Sequence, residues 1–116
     1  MSRKVIITGP ESTGKTKLAE YLSDTYQGVL VPEYARTYIE QRGHSYTFQD
    51  VEHIAKWQAK RYSQSYPEAS WVFFDTWLIV TRVWFEVVYG EVPRWVDRAL
   101  DENTPDLVLL CYPDIA

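Results

Sequence analysis

The stretch ITGPESTGKTKLAE, Ile7 to Glu20, decides how the rest of the chain is read. Within it, Gly9-Pro10-Glu11-Ser12-Thr13-Gly14-Lys15-Thr16 fits the pattern G-x-x-x-x-G-K-[ST] in full. The glycines let the backbone form a concave nest whose N–H groups point inward at phosphate oxygens. A helix beginning near Lys15 brings its positive end to the same point. Lys15 is placed to reach the β- and γ-phosphates, and the Thr16 hydroxyl to bind magnesium. Lys17 follows directly and completes the candidate nucleotide-binding set, residues 9–17. The apolar run KVIIT (Lys4 to Thr8) lies just before the loop and a helical pattern just after it, a context that disfavours a chance match. The stretch predicts a nucleoside triphosphate site, with ATP and Mg2+ as the expected cofactors.

Outward from the loop, short apolar runs alternate with longer helical stretches. Leu18, Ala19, Leu22 and Tyr26 recur at helical spacing, and Gly28 stops that helix. VLV (Val29 to Val31) is a second strand, ended by Pro32. Thr47 caps the next helix, with Asp50 three residues on. Val51, Ile54, Ala55, Gln58, Ala59 and Tyr62 share one side of it. WVFFD (Trp71 to Asp75) is a third, fully buried strand that ends in a carboxylate. TWLIVTRVWFEVVYG follows and is apolar on nearly every side, with Arg82 and Glu86 as a salt-bridged polar stripe. PRWVDRAL from Pro93 reads as a short helix with proline in its first turn. LVLLC (Leu107 to Cys111) reads as a fourth buried strand, with Cys111 in the core.

Strands alternating with helices predict a parallel α/β sheet covered on both faces. Such sheets bind ligands beyond the carboxyl ends of their strands. Those ends carry Gly9 to Thr16, Glu33 to Arg36, Asp75 and Asp114.

Composition bounds the function. The 116 residues are enough for one small domain, and 46% are hydrophobic, so a packed core is expected. A formal net charge of -4 without a basic stripe argues against nucleic acid as a partner. MSRKVIITGP is too brief an apolar run for a signal peptide, and nothing is long enough to cross a bilayer. With a single cysteine, Cys111, no internal disulfide can form, and a cytoplasmic location is expected. His44 and His53 lack ligand spacing to each other or to Cys111, so no metal site is expected from them. Most of the aromatic residues, 16% of the chain with five tryptophans, are expected in the core.

Switch GTPases, ATPase motors and small-molecule kinases share the phosphate loop. The guanine reader N-K-x-D is missing from this sequence, and motors need a longer chain with further catalytic arginines. A small-molecule kinase needs a second pocket, a base for the attacking hydroxyl and a lid. Glu33 in VPEYAR stands where a kinase holds its acceptor and can take the hydroxyl proton. Tyr34 adds a stacking face and Arg36 a hydrogen-bonding fork. Asp75 can hold the magnesium shell, bind sugar hydroxyls, or cap the helix of TWLIV.

Together, ITGPESTGKTKLAEYL, VPEYARTYIE, YTFQDVEHIAKWQ, FFDTWLIVTRVWFEVVYG and LVLLCYPDI resemble the nicotinamide riboside kinase domain of the NadR family, grouped with AAA-type P-loop ATPases. The resemblance implies a P-loop kinase fold of three layers, its parallel strands in the order 2-3-1-4-5. It implies transfer of the ATP γ-phosphate to the 5′-hydroxyl of nicotinamide riboside, giving nicotinamide mononucleotide for NAD salvage. Gly9 to Thr16 then become the ATP loop, Glu33, Tyr34 and Arg36 the acceptor region, and Asp75 the third-strand carboxylate. Catalytic roles fall to Lys15, Glu33 and Asp75, and metal binding to Thr16 and Asp75. The pyridinium of such an acceptor is attracted by an electron-rich ring face. Tyr34, Trp77, Trp84 and Trp95 are the rings expected on that side, with Trp77 and Trp95 as substrate-binding candidates. Another nucleoside as acceptor, or an ATP-binding regulatory module without transfer, remain open.

Relatives continue past the fourth strand into an arginine-bearing lid and a fifth strand. Residues 1–116 are therefore expected to be a single P-loop kinase-like domain, incomplete at its C-terminus. A sheet ending at LVLLC is expected to show an unpaired apolar edge.

Overall fold

In the computed structural model, which describes residues 2–9, 14–43 and 45–111, the strand β1 (Arg3–Thr8) occupies the middle of a four-stranded sheet. Pro10, Glu11, Ser12 and Thr13 of the expected loop, His44, and Asp114 lie outside the described residues. The other strands are β2 (Val29–Val31), β3 (Trp71–Asp75) and β4 (Leu107–Leu110). The helices are α1 (Lys15–Thr25), α2 (Ala35–Arg42), α3 (Phe48–Ser63), α4 (Leu78–Trp84) and α5 (Arg94–Glu102). All pairings are parallel, as the alternation of strands and helices predicts, and the order is β2-β3-β1-β4, as the family resemblance implies for strands 2-3-1-4. The fold is the α/β arrangement of P-loop kinases.

The chain divides into two compact units, residues 1–32, 65–77 and 105–116, and residues 33–64 and 78–104. The first holds the sheet and α1. Apolar residues crowd β1 and β3 because a central parallel strand is covered on both faces. Val5, Ile6, Ile7, Val72, Phe73 and Phe74 are all buried. Leu18, Ala19 and Leu22 of α1 pack against Val5, Ile7 and Phe73 on one face. Tyr26, Trp71 and Phe73 line an apolar cleft of about 250 Å³ with Val5, Leu22, Leu107 and Leu109. The cleft opens near the amino ends of β3 and β4, away from the phosphate loop.

In the second unit α3 packs on α4, and α4 on α5. Thr47 and Asp50 form a full capping box at the start of α3, with the Asp50 amide donating to Thr47 Oγ1 and the Thr47 amide to Asp50 Oδ2. Val51, Ile54, Ala55, Gln58 and Tyr62 form its buried side, as their spacing predicts. The segment after α4 winds into a π-helical turn, Phe85–Tyr89, closed by Gly90 in the left-handed region. Phe48 meets Phe85 and Tyr89 there. Arg82 pairs with Glu86 as expected and also donates to Asp97 on α5, at 2.6 Å.

Two features depart from the sequence reading. LVLLC was expected to be buried, but Leu107, Val108 and Leu110 are each about half exposed. The cause is position: β4 is the edge strand and, among the described residues, pairs with β1 alone. Cys111 lies just past the strand, half-buried rather than in the interior. The helix α2 was not anticipated, because ARTYIEQR has no apolar stripe, and none of its residues, all described, is buried. Among the described residues no helix is long and apolar enough to cross a membrane.

Thr81 and Gln58 form a buried pair in the second unit, the hydroxyl donating to Oε1 at 2.6 Å. Thr81→Val keeps the shape but strips the amide oxygen of that donor. The loss should lower stability in urea unfolding by about 1–3 kcal/mol.

A candidate nucleotide and acceptor site

Phosphate-side residues meet at the carboxyl ends of β1 and β3. The backbone must leave β1 sharply, and Gly9 does so at φ 141°. A side chain there would be strained and would also run into the carbonyl oxygen of Cys111. Gly14, at φ 79°, brings the chain into α1 from the left-handed region. Lys15, the first residue of α1, is almost wholly buried, and its ammonium donates to the Gly9 carbonyl at 3.0 Å. A buried lysine at a helix start, beside the bend after a strand, presents positive charge at the position where P-loops hold phosphate.

The register of the sheet places the carboxylate. Ile7 of β1 lies opposite Asp75, the last residue of β3. Asp75 is 3% exposed and accepts the Thr16 hydroxyl at 2.7 Å. This contact ties the end of β3 to the start of α1, and α4 begins three residues on, at Leu78. Thr76 adopts φ 71°, a rare conformation for a β-branched residue, and its amide donates to the Ile7 carbonyl at 2.8 Å. Backbone strain of this kind clusters at functional sites. Thr16 and Asp75 offer only hard oxygen donors, which suit Mg2+, an ion usually held by one or two carboxylates together with substrate phosphates.

The second unit carries Glu33, Tyr34 and Arg36, the residues that the sequence reading assigns to an acceptor. Glu33 stands two positions beyond β2, and Tyr34 is the residue that opens α2. The Tyr34 ring stacks on Trp57 of α3 at 4.4 Å, and its hydroxyl is 3.0 Å from His53 Nε2. Tyr38, one turn on, stacks on His53 at 4.7 Å and donates to Asp50 at 2.7 Å. Arg42, a further turn on, pairs with Asp50 at 3.3 Å. The Arg61 guanidinium lies over the Trp57 ring. Arg36 is exposed on the first turn of α2.

Of the tryptophans named as acceptor rings, Trp77 is only 5% exposed and belongs to the first unit. Trp84 donates to the Tyr46 hydroxyl, and Trp95 to Glu52 at 3.2 Å, both within the second unit. The contacts that Tyr38, Asp50, His53 and Trp57 make between α2 and α3 escaped the sequence reading, which took Asp50 only as a cap and His53 only as a rejected metal ligand. Their signal was the spacing of Tyr34, Tyr38 and Arg42 at intervals of four, facing Asp50, His53 and Trp57 at intervals of three and four.

A model of the AAA domain family matches residues 4–116. The chain belongs to that family. Among solved structures it is similar to the NadR protein in complex with NR, at 27% identity and a TM-score of 0.80 over 94% of the chain. A second, the NadR protein in complex with NAD and AMP-PNP, also shows 27% identity, with a TM-score of 0.77. The chain spans about a third of the length of these NadR chains, 33% and 34%. A thymidylate kinase from Ehrlichia chaffeensis matches 98% of this chain, over 73% of its own, with a TM-score of 0.69. At 18% identity that likeness shows the fold alone. No curated protein sequence gives a match. As an AAA domain member with a P-loop kinase fold, the chain has its phosphate-side residues at the sheet's carboxyl end, the usual ligand position in open α/β sheets.

The electrostatics of the α2–α3 contact generate a prediction. The Tyr38 hydrogen bond, then the Thr47 amide, hold the Asp50 carboxyl below its usual 3.8, outweighing burial. A lowered folded-state pKa contributes stability that is complete above the unfolded value and is lost as pH falls through the folded one. Asp50→Asn should therefore be less stable than the parent at neutral pH, and the gap should close as the pH falls below about 4. Thermal melts of both proteins across that range measure it.

Proposed function

We propose that the chain is the ATP-dependent kinase part of a protein that phosphorylates the 5′-hydroxyl of nicotinamide riboside, giving nicotinamide mononucleotide. Residues 1–116 are read as one P-loop kinase-like domain. The observation that carries the reading is the likeness, over 94% of the chain, to a NadR protein in complex with NR. The second NadR structure, holding AMP-PNP, an ATP analogue, supports ATP as the donor.

The chemistry follows from the residues. Phosphoryl transfer needs positioning and charge neutralisation more than covalent help from the protein. Residues 9–17, with the start of α1 behind them, hold the triphosphate by backbone N–H groups. Lys15 supplies a cation to the β- and γ-phosphates. Thr16 and Asp75 would hold magnesium, which when bound neutralises charge across those phosphates. Glu33 accepts the proton of the acceptor hydroxyl as its oxygen bonds to the γ-phosphorus. The bond from that phosphorus to the bridging oxygen breaks, and ADP leaves. Tyr34 offers a ring face to the pyridinium, a contact worth about 2 kcal/mol when desolvated. Arg36, Trp77 and Trp95 complete the proposed acceptor set, and Asp75 is the alternative base.

Three variants of the full-length protein test these roles. Lys15→Ala should abolish ATP binding in calorimetry with magnesium present while circular dichroism stays unchanged; retained affinity would remove the loop assignment. Glu33→Gln should cut turnover by roughly 10²–10⁴-fold with ATP affinity unaltered. Asp75→Asn should shift the magnesium dependence, and if it alone lost turnover the base would move to Asp75. A panel of nucleosides assayed with labelled ATP decides the acceptor. Preference for another nucleoside keeps the kinase and replaces the acceptor. Binding of ATP without transfer to any acceptor points to a regulatory module.

A further inference from the structure

The helix α2 has half-buried apolar residues, Ala35 and Ile39, but none of its residues is fully buried, and no side chain caps its first turn. A ladder of three rungs ties it to α3 within the second unit. Tyr34 meets Trp57 and His53, Tyr38 meets His53 and Asp50, and Arg42 meets Asp50. The rungs are four residues apart on α2 and run backwards along α3, so the two helices are zipped antiparallel. Asp50 is doubly used, since the same carboxylate closes the capping box of α3. The rung nearest β2 is the one that matters for chemistry. Tyr34 opens α2, and Glu33 is joined to it by a single peptide bond. Whatever fixes the Tyr34 ring fixes the backbone on which the Glu33 carboxylate stands.

We infer that Trp57 and His53 are positioning residues, which act through Tyr34 to set the orientation of Glu33 and of the Tyr34 ring face. Trp57 supplies the stacking surface, itself overlaid by Arg61. His53 holds the Tyr34 hydroxyl and stacks on Tyr38, so it ties the first two rungs together. Hydrogen bonding and stacking both constrain the ring, one fixing its tip and the other its plane. The functional half of the inference rests on the proposed roles of Glu33 and Tyr34; the structural half does not.

Two measurements on the full-length protein separate those halves. The first is amide hydrogen exchange at Tyr38, whose N–H donates to the Tyr34 carbonyl as the first hydrogen bond of α2. Trp57→Ala and His53→Ala should each speed exchange at that amide by about tenfold, the size of a lost aromatic contact. Amides of β1 and β3 should keep the parent rates. Trp57→Phe and His53→Gln, which preserve a ring face and a hydrogen-bonding nitrogen, should restore protection. Parent-like exchange at Tyr38 in both alanine variants would overturn the inference whatever the enzyme's substrate. The second is steady-state kinetics with ATP and nicotinamide riboside. The alanine variants should lose about tenfold in kcat or raise the nucleoside KM by as much, with the ATP KM unchanged, and the conservative pair should recover it. Loosened α2 together with parent kinetics would overturn the positioning role. A parent enzyme inactive on the nucleoside would instead count against the proposed function, leaving the exchange result to decide whether the ladder holds α2.

Discussion

The register in which β1 pairs with β3, Ile7 opposite Asp75, governs the geometry of the phosphate side. A slip by one residue would turn every side chain of β3 to the opposite face. It would place Phe74 where Asp75 now receives the Thr16 hydroxyl. The register is enforced because β3 is buried along nearly its whole length. Burial in the sheet and the placement of one carboxylate are therefore the same constraint. The left-handed Thr76 fits this view, since its amide continues the β1 pairing one step past the strand while the chain turns away.

The bend at Gly9 is bound to the same constraint from the other edge of β1. Cys111, following β4, donates its amide to the Thr8 carbonyl at 2.8 Å, and its own carbonyl crowds the Gly9 Cα. The residue after an edge strand thus still restricts the backbone at Gly9. The Lys15 ammonium reaching the Gly9 carbonyl closes the turn from the helix side.

Much of this was legible in the sequence, for physical reasons that differ by element. β2 and β3 appear with the predicted bounds because each is a short continuous apolar run ended by Pro32 or by a carboxylate. The cap at Thr47 and Asp50 was legible because capping is local chemistry. The apolar run LVLLC alone reads as a buried strand, since edge and central strands can share a composition; only the expectation of a sheet ending there gave the apolar edge that β4 shows. The helix α2 was invisible to periodicity because its contacts are aromatic and ionic rather than aliphatic. The partners of Tyr34 were missed with it, and only the facing periodicities of two polar segments would have found them.

That kind of contact suits a helix whose residues are all at least partly exposed. An aliphatic stripe would hold α2 more firmly, but it would cost the segment VPEYAR its charged and hydrogen-bonding side chains or turn them inward. Tyrosine, histidine and tryptophan offer broad faces for packing while keeping polar tips that accept neighbours and water. Asp50 then anchors the far end, its carboxyl held below the usual range by the Tyr38 hydrogen bond and the Thr47 amide. On the proposed reading, the acceptor side is built from the weaker of the two kinds of packing in the chain. The place of α2 is set by side-chain contacts at three rungs, whereas that of Asp75 is set by the backbone register of the sheet.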